Sequence, residues 1–407
     1  MTTARSHDRR LLLGAMVALS VCLVASRASA VDVGSEDSLA SVEVHAFASQ
    51  GFILSKDNNY LDADTTHGSL QFSELGVNLT KSLTDRFRVG LQLFAQDLGP
   101  TGNYNIKADW FYLDYRFTNW LGVRAGRVKI PFGLYNDSAD IDSARVAVLL
   151  PQSVYPEENR NYLLAQTGGE VYGYANLHAA GALDYRAYGG TIFVDTTTTP
   201  GSAYAISSFN VPYLAGGRLL WETPIQGLRL GGSLQALRLD ATIVPTAAPV
   251  ATGGTASAPA SADIQIPAVL WVASAEYVAG DLLLAAEYSR WYIGENSNNA
   301  ALFPGTPTVT SERAYAMATY RAAKWLQPGV YYSVMFPDVD DRSGRANYQH
   351  DVSTTLRFDI NSFWLVKAEA HYMIGTAGLD PTLNNGTPLS ALQQSWGVFL
   401  LKTTAYF

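Results

Sequence analysis

The side chains in this 407-residue chain that could do chemistry are few and scattered. Five histidines follow residue 30 (His45, His67, His178, His350 and His371), and none has a metal-ligating spacing. Neither Gly-x-Ser-x-Gly nor His-Glu-x-x-His occurs. The single cysteine, Cys22, leaves no thiol nucleophile, zinc-thiolate cluster or disulfide in the rest of the chain. A hydrolase needs a nucleophile, a base and an orienting group in reach of one another. No such set is legible, so no enzymatic activity, cofactor or metal is expected. What remains is ionic: single arginines, lysines and carboxylates standing at intervals on one side of otherwise apolar alternations.

Those alternations are the elements that must position the charges. From Asp37 onward, apolar residues alternate with polar or small ones over segments of about ten residues, the period-2 signature of strands with two unlike faces. The last segment is the clearest. Ser395, Gly397, Phe399, Leu401, Thr403, Ala405 and Phe407 share one face, and Trp396, Val398, Leu400, Lys402, Thr404 and Tyr406 the other. In residues 86 to 97, Phe87, Val89, Leu91, Leu93 and Ala95 lie opposite Arg88, Gly90, Gln92 and Gln96. Strands are expected at 42–53, 69–80, 86–97, 106–117, 121–129, 169–179, 182–194, 210–222, 227–239, 266–278, 282–292, 312–322, 326–335, 347–358, 361–374 and 393–407. That makes sixteen, an even number.

Their connections alternate between short turns and long polar or Gly/Pro-rich loops. Such sorting suits a closed transmembrane antiparallel β-barrel of about sixteen strands, with short periplasmic turns and long external loops. A soluble sandwich or solenoid has no reason to sort its loops this way. Closure leaves no backbone group unpaired in hydrocarbon. Strand-end aromatics such as Trp110, Trp120, Tyr288, Trp291, Tyr292, Trp325, Tyr331, Tyr332, Trp364 and Tyr406 suit headgroup-level belts, although ordinary sheet packing enriches aromatics as well. The Pro/Ala/Gly/Ser/Thr-rich stretch from Val244 to Ala262 reads as one of the long external loops.

Composition agrees. Charged residues make up 16% of the chain, too few for disorder, and the formal charge is −8, which disfavours nucleic-acid binding. Beyond residue 30 no apolar run reaches the roughly 20 residues of a membrane helix. Arg9 and Arg10 precede the apolar run from Leu11 to Ala25, and Ala28-Ser29-Ala30 supplies a cleavage pattern, so residues 1–30 read as a secretory signal peptide. Residues 31–407 read as a single β-barrel domain. About ten residues between Val31 and Val42 leave no room for an N-terminal plug.

Taking the less apolar face of each strand as inward gives lumen cations Arg88, Arg124, Arg186, Arg229, Arg357, Lys367 and Lys402. Lumen anions on the same rule are Glu43, Glu74, Asp114, Asp184, Glu276, Glu287, Asp351 and Glu369. Neither sign dominates. Arg127 and Lys129 are out of phase with Arg124, and a bulge near Gly126 would turn Arg127 inward.

An Ala-x-Ala leader, about sixteen amphipathic strands and an ending Ala405-Tyr406-Phe407 resemble Gram-negative outer-membrane porins. The stretch Val123-Arg124-Ala125-Gly126-Arg127-Val128-Lys129-Ile130-Pro131-Phe132-Gly133 looks like the strand-to-loop signature of the phosphate-selective porin O and P superfamily. The resemblance implies a homotrimer in outer-membrane lipid and lipopolysaccharide, each barrel with its own pore narrowed by an inward-folded third loop. It implies passive diffusion of small hydrophilic solutes and ions. The alternatives are a channel selective for an inorganic anion such as phosphate or another small polar solute, and a structural or receptor barrel with a closed lumen. Phosphate-selective members are expected to line the pore with lysine and arginine ladders, whereas this lumen face is mixed.

The third long connection, Ile130 to Gly168, is the longest of the set, and its apolar stretch Val146 to Leu150 could anchor it to the wall. It carries Asp137, Asp140, Asp142, Arg145, Glu157, Glu158 and Arg160. If Arg88, Arg124 and Arg186 face Asp137, Asp140 and Asp142 across the constriction, they set a transverse field on the water path. Pairing of these charges with cross-strand neighbours stands as the other reading. The loop carboxylates could bind a divalent cation or simply be solvated.

Overall fold

In the computed structural model, residues 31–33, 41–99, 102–193, 204–246 and 261–407 are described. The expected leader at 1–30, with Cys22, and the stretch 247–260 of the expected external loop lie outside these residues. Seventeen strands form: β1 (Val31–Val33), β2 (Val42–Lys56), β3 (Phe72–Ser82), β4 (Phe87–Leu98), β5 (Lys107–Thr118), β6 (Leu121–Lys129), β7 (Ala165–Asn176), β8 (Ala182–Thr191) and β9 (Tyr204–Glu222). They continue with β10 (Leu228–Pro245), β11 (Ala262–Ala279), β12 (Leu282–Ser297), β13 (Thr306–Tyr320), β14 (Leu326–Phe336), β15 (Gln349–Asn361), β16 (Trp364–Gly375) and β17 (Ser395–Tyr406).

From β2 onward every strand pairs antiparallel with the next, and β17 pairs antiparallel with β2 from Gly397↔Lys56 to Tyr406↔Phe47. The result is a closed barrel of sixteen strands. Three-residue β1, not expected from the sequence, adds to the start of β2. Phe407 completes the seam, its N–H donating to Ala46 O at 3.0 Å while its carbonyl accepts from Ala46 N at 3.2 Å.

All sixteen expected strands are present, but β9 to β13 run four to six residues further toward the long-loop rim than the alternation shows. Strand 210–222 begins at Tyr204, 227–239 ends at Pro245, and 282–292 ends at Ser297. Beyond the apolar band both faces meet water or loops, so the ladder continues where side-chain contrast fades. His178 sits exposed in the β7–β8 turn at φ +56°.

Alternation places apolar side chains outside. Leu113, Leu219, Leu234, Val330, Leu356 and Phe399 are all more than 40% exposed. Trp120 and Trp325 are exposed beside short turns, whereas Trp110, Trp291 and Tyr331 point inward rather than into an aromatic belt. The interior is not uniformly wet either. Ile53, Phe72, Met373, Trp396, Val398 and Leu400 from the wall pack on Val148 and Leu149 of the third loop. A second cluster joins Tyr188, Leu214, Leu270, Val272 and Tyr315 to Ile130, Phe132, Leu150, Val154 and Tyr155. The loop carries its own apolar residues into the barrel, and each buried aliphatic side chain contributes about 1.5–3 kcal/mol. Among the described residues no helix is long and apolar enough to cross a membrane.

Candidate pore and constriction

The third long connection runs from Ile130 to Leu164, between β6 and β7. Its neck is closed by Ile130 N–H donating to Leu164 O and by Asn136 Nδ2 donating to the carbonyls of Ile130 and Leu163, each at 2.9 Å. Inside it are three 3-10 turns and one α-helical turn, so most of its backbone polar groups need partners from elsewhere. Inward-facing side chains of the wall supply many of them.

On one side, Arg357, Lys367 and Lys402 stand abreast, because Arg357↔Lys367 and Lys367↔Lys402 are direct ladder partners. Like charges directly opposite one another repel. The loop supplies the counter-charge: Asp142 Oδ1 lies 2.9 Å from Lys367 Nζ and 3.3 Å from Lys402 Nζ, and Thr404 Oγ1 donates to Asp142 Oδ2 at 2.6 Å. Lys367 also donates to the carbonyls of Asp142 and Ala147, and Arg357 to those of Ser143 and Arg145. Glu74 pairs with Lys402 at 2.6 Å. Burial pushes the Asp142 carboxyl up, but Lys367, Lys402 and Arg145 outweigh it and hold the group well below the usual carboxylate range. Nearby, Glu369 accepts from the backbone N–H of Val148 at 2.7 Å and of Leu149 at 3.0 Å. His371 bridges Glu369 and Asp351 at 3.0 and 2.9 Å.

Across the barrel the wall is acidic. Glu287 accepts from Leu134 N–H at 2.9 Å and from the hydroxyls of Tyr315, Tyr155 and Ser274. Glu276 accepts from Tyr135 at 3.1 Å and pairs with Arg229. The loop passes this wall at Gly133 (φ +56°), where a Cβ would collide with the Tyr155 hydroxyl and the Glu287 carboxylate. On the β4–β5 side Arg160 forks onto Asp109 at 3.1 and 2.7 Å and lies over the Phe94 ring. Loop contacts therefore come from β4 to β6, β8 to β13 and β15 to β17, nearly the whole circumference.

The three loop aspartates do not form one cluster facing an arginine wall. Asp137 pairs with Arg218 at 2.9 Å and Arg186 at 3.4 Å, Asp140 with Lys129 at 2.6 Å, and Asp142 with Lys367 and Lys402. A buried carboxylate needs its own cation, and the loop crosses the lumen between them, so residues five apart dock on different walls. Arg124 sits between Asp114 at 3.3 Å and Glu170 at 3.1 Å and stacks on Tyr172, while Arg88 reaches Asp114 at 3.6 Å. These are the cross-strand pairs of the second reading, since Arg88↔Asp114, Asp114↔Arg124 and Arg124↔Glu170 are ladder partners.

The irregularity expected near Gly126 takes two forms: Gly126 itself at φ +133°, and Asp109 skipped in the β4–β5 ladder. Arg127 is half-buried and donates from Nε to Asp109 O at 2.8 Å, capping that bulge. Arg145 is buried beside Asp142 at 3.7 Å. Glu157 and Glu158 lie on the long-loop side, away from Arg88, Arg124 and Arg186. Sequence reasoning missed Arg218 as a lumen cation. The signal was its ladder pairing with Arg186, two arginines that together demand an anion.

Two chambers flank the loop. One, of about 230 Å³, lies in the short-turn half and is lined by Arg88, Trp110, Tyr112, Arg124, Val128, Lys129, Asp137 and Arg186. The other, of similar volume, lies in the long-loop half. Among the described residues no group of three or more His, Cys, Asp or Glu is placed to hold a metal ion.

No protein-family model and no curated protein matches the chain. Solved structures do. OmpT of Vibrio cholerae aligns over 93% of this chain and 100% of its own at 13% identity with a TM-score of 0.57. OmpF of Salmonella typhi, in complex with daunomycin, aligns over 92% and 100% at 11% identity and 0.55. The anion-selective porin of Comamonas acidovorans aligns over 90% and 99% at 12% identity and 0.52. The fold is thus a porin-like, closed sixteen-stranded antiparallel barrel of the outer-membrane kind.

Proposed function

We propose that the chain is an outer-membrane porin, a passive channel for small hydrophilic solutes and ions that needs neither cofactor nor energy input. Residues 1–30 serve as the export signal and 31–407 form one barrel domain. The observation that carries the reading is a closed barrel, apolar outside, whose charged interior holds solvent chambers on both sides of an internal loop. A homotrimer in outer-membrane lipid and lipopolysaccharide fits, and one OmpT structure of similar fold is of a trimer form. The stretch Val123–Gly133 looks like the strand-to-loop signature of the phosphate-selective porin O and P superfamily.

The test is single-channel conductance of the reconstituted protein, with reversal potential in a salt gradient. Stable ohmic steps are expected. A folded barrel that never conducts would replace the channel with a receptor or structural barrel. A second reading, an anion-selective channel, is favoured by four cations against one carboxylate around the short-turn chamber. Its signature is a reversal potential displaced toward the anion's, shrinking in Arg88→Gln.

A further inference from the structure

The long-loop chamber has a wall of unusual uniformity. Six of its polar side chains are planar: Gln152, Glu158 and Asn159 from the third loop, Arg313 from β13, and Gln349 and Asp351 from β15. Lysine is absent from that wall. Most of these groups are already held from behind. Gln152 Nε2 donates to Leu150 O and Tyr155 O. Arg313 donates to Ser311 Oγ and Ser153 O and stacks 4.3 Å over the Trp291 ring. Gln349 Oε1 accepts from Gly378 N–H at 2.8 Å, and Asp351 is fixed by His371 and Tyr331. Bonds on the far side hold the rotamers of Gln152, Arg313, Gln349 and Asp351, and Gln152 Oε1 also accepts from Glu157 N–H at 2.8 Å, so these planar groups stand fixed along the chamber wall.

Charge is mixed, with Arg313 on the same wall as Glu158 and Asp351, and His371 standing against Asp351 from behind. A net anion would meet two carboxylates there, and a simple cation would meet a guanidinium. A neutral solute with adjacent hydroxyls fits, because each hydroxyl both donates and accepts and a planar carboxylate, amide or guanidinium can bridge two of them. At roughly 30 Å³ per water the 230 Å³ of space holds about eight waters, or one sugar ring in their place.

We propose that this chamber binds a monosaccharide or a polyol of similar size, which enters from the long-loop rim. The proposal rests on the channel reading for the solute's route, but binding itself is measurable without conduction. The probe is D-glucose, titrated against the full-length folded protein in detergent with tryptophan fluorescence as readout, Trp291 lying under Arg313, and with glycine and inorganic phosphate as comparators. Saturable binding of glucose, and weaker binding of both comparators, is expected. Glu158→Ala, which removes one carboxylate from the chamber wall, weakens glucose binding about tenfold, the loss of one hydrogen bond to a charged group. No binding by the wild type, tighter binding of glycine or phosphate, or an unchanged affinity in Glu158→Ala overturns the assignment. Glucose binding by a barrel that does not conduct would remove the channel and keep the site. Conduction without glucose binding would do the reverse.

Discussion

The two walls that grip the third loop solve the same problem with opposite chemistry. At β15 to β17 the wall presents three cations in one rung, and the loop answers with a formal charge, Asp142. At β11 to β13 the wall presents carboxylates, and the loop answers with neutral donors: the Leu134 N–H and the hydroxyls of Tyr135 and Tyr155. The first wall leans on the loop more heavily, since without Asp142 Lys367 loses its carboxylate and stands directly opposite Lys402, which keeps Glu74. The second keeps partners of its own, Ser274 and Tyr315 for Glu287 and Arg229 for Glu276. Docking on the cationic side therefore stabilises loop and wall together; docking on the acidic side stabilises chiefly the loop.

Removing Asp142 is the strongest way to break that contrast. Asp142→Ala leaves two buried ammonium groups without their shared anion and is expected to cost about 3–5 kcal/mol. The cost should appear as a lower unfolding midpoint in detergent, faster proteolysis within 130–164 and larger conductance steps. Adding Lys367→Met to that variant should recover part of the loss. Glu287→Gln keeps the shape and most acceptor capacity of the acidic wall, so a smaller loss of about 1–3 kcal/mol is expected by the same measurements. If it exceeds that of Asp142→Ala, the ranking of the walls is inverted.

Acid titration sharpens the comparison with the smallest effect. The folded-state value of Asp142 is depressed, so its stabilisation is fully present above the ordinary aspartate value of about 3.9 and is lost only as pH falls through the lower folded value. Burial pushes the Glu158 carboxyl the other way, with Asp380 adding to the rise. Loop protection against protease should thus be almost unchanged between neutrality and pH 5. Loss of protection across that range would show that Asp142 is not the anchor.

The lumen assignments of Lys402, Lys367, Glu287 and Arg357 were legible because a strand has only two faces. One charge in an apolar row, such as Lys402 between Leu400 and Thr404, declares which face is inward. The destinations of Asp137, Asp140 and Asp142 were not legible. A loop has no period, and three neighbouring carboxylates look alike until the walls they reach are known. Val146 to Leu150 was readable as apolar, and its five residues do divide: Val148 and Leu149 pack in one cluster and Leu150 in the other. The Asp109 bulge and the pairing of Arg186 with Arg218 depend on ladder register, which local patterning leaves open.

The seam between β2 and β17 joins residues far apart in the chain, such as Ser49 and Thr404, 355 positions apart. Ribosomes release β17 long after β2, so in the interval β2 has a bare margin and the greasy rows of its neighbours have no cover. Such late, long-range closure is intrinsically slow and exposes the chain to aggregation. Keeping that margin from pairing elsewhere until β17 arrives is accordingly a requirement of the closed architecture rather than an accessory to it.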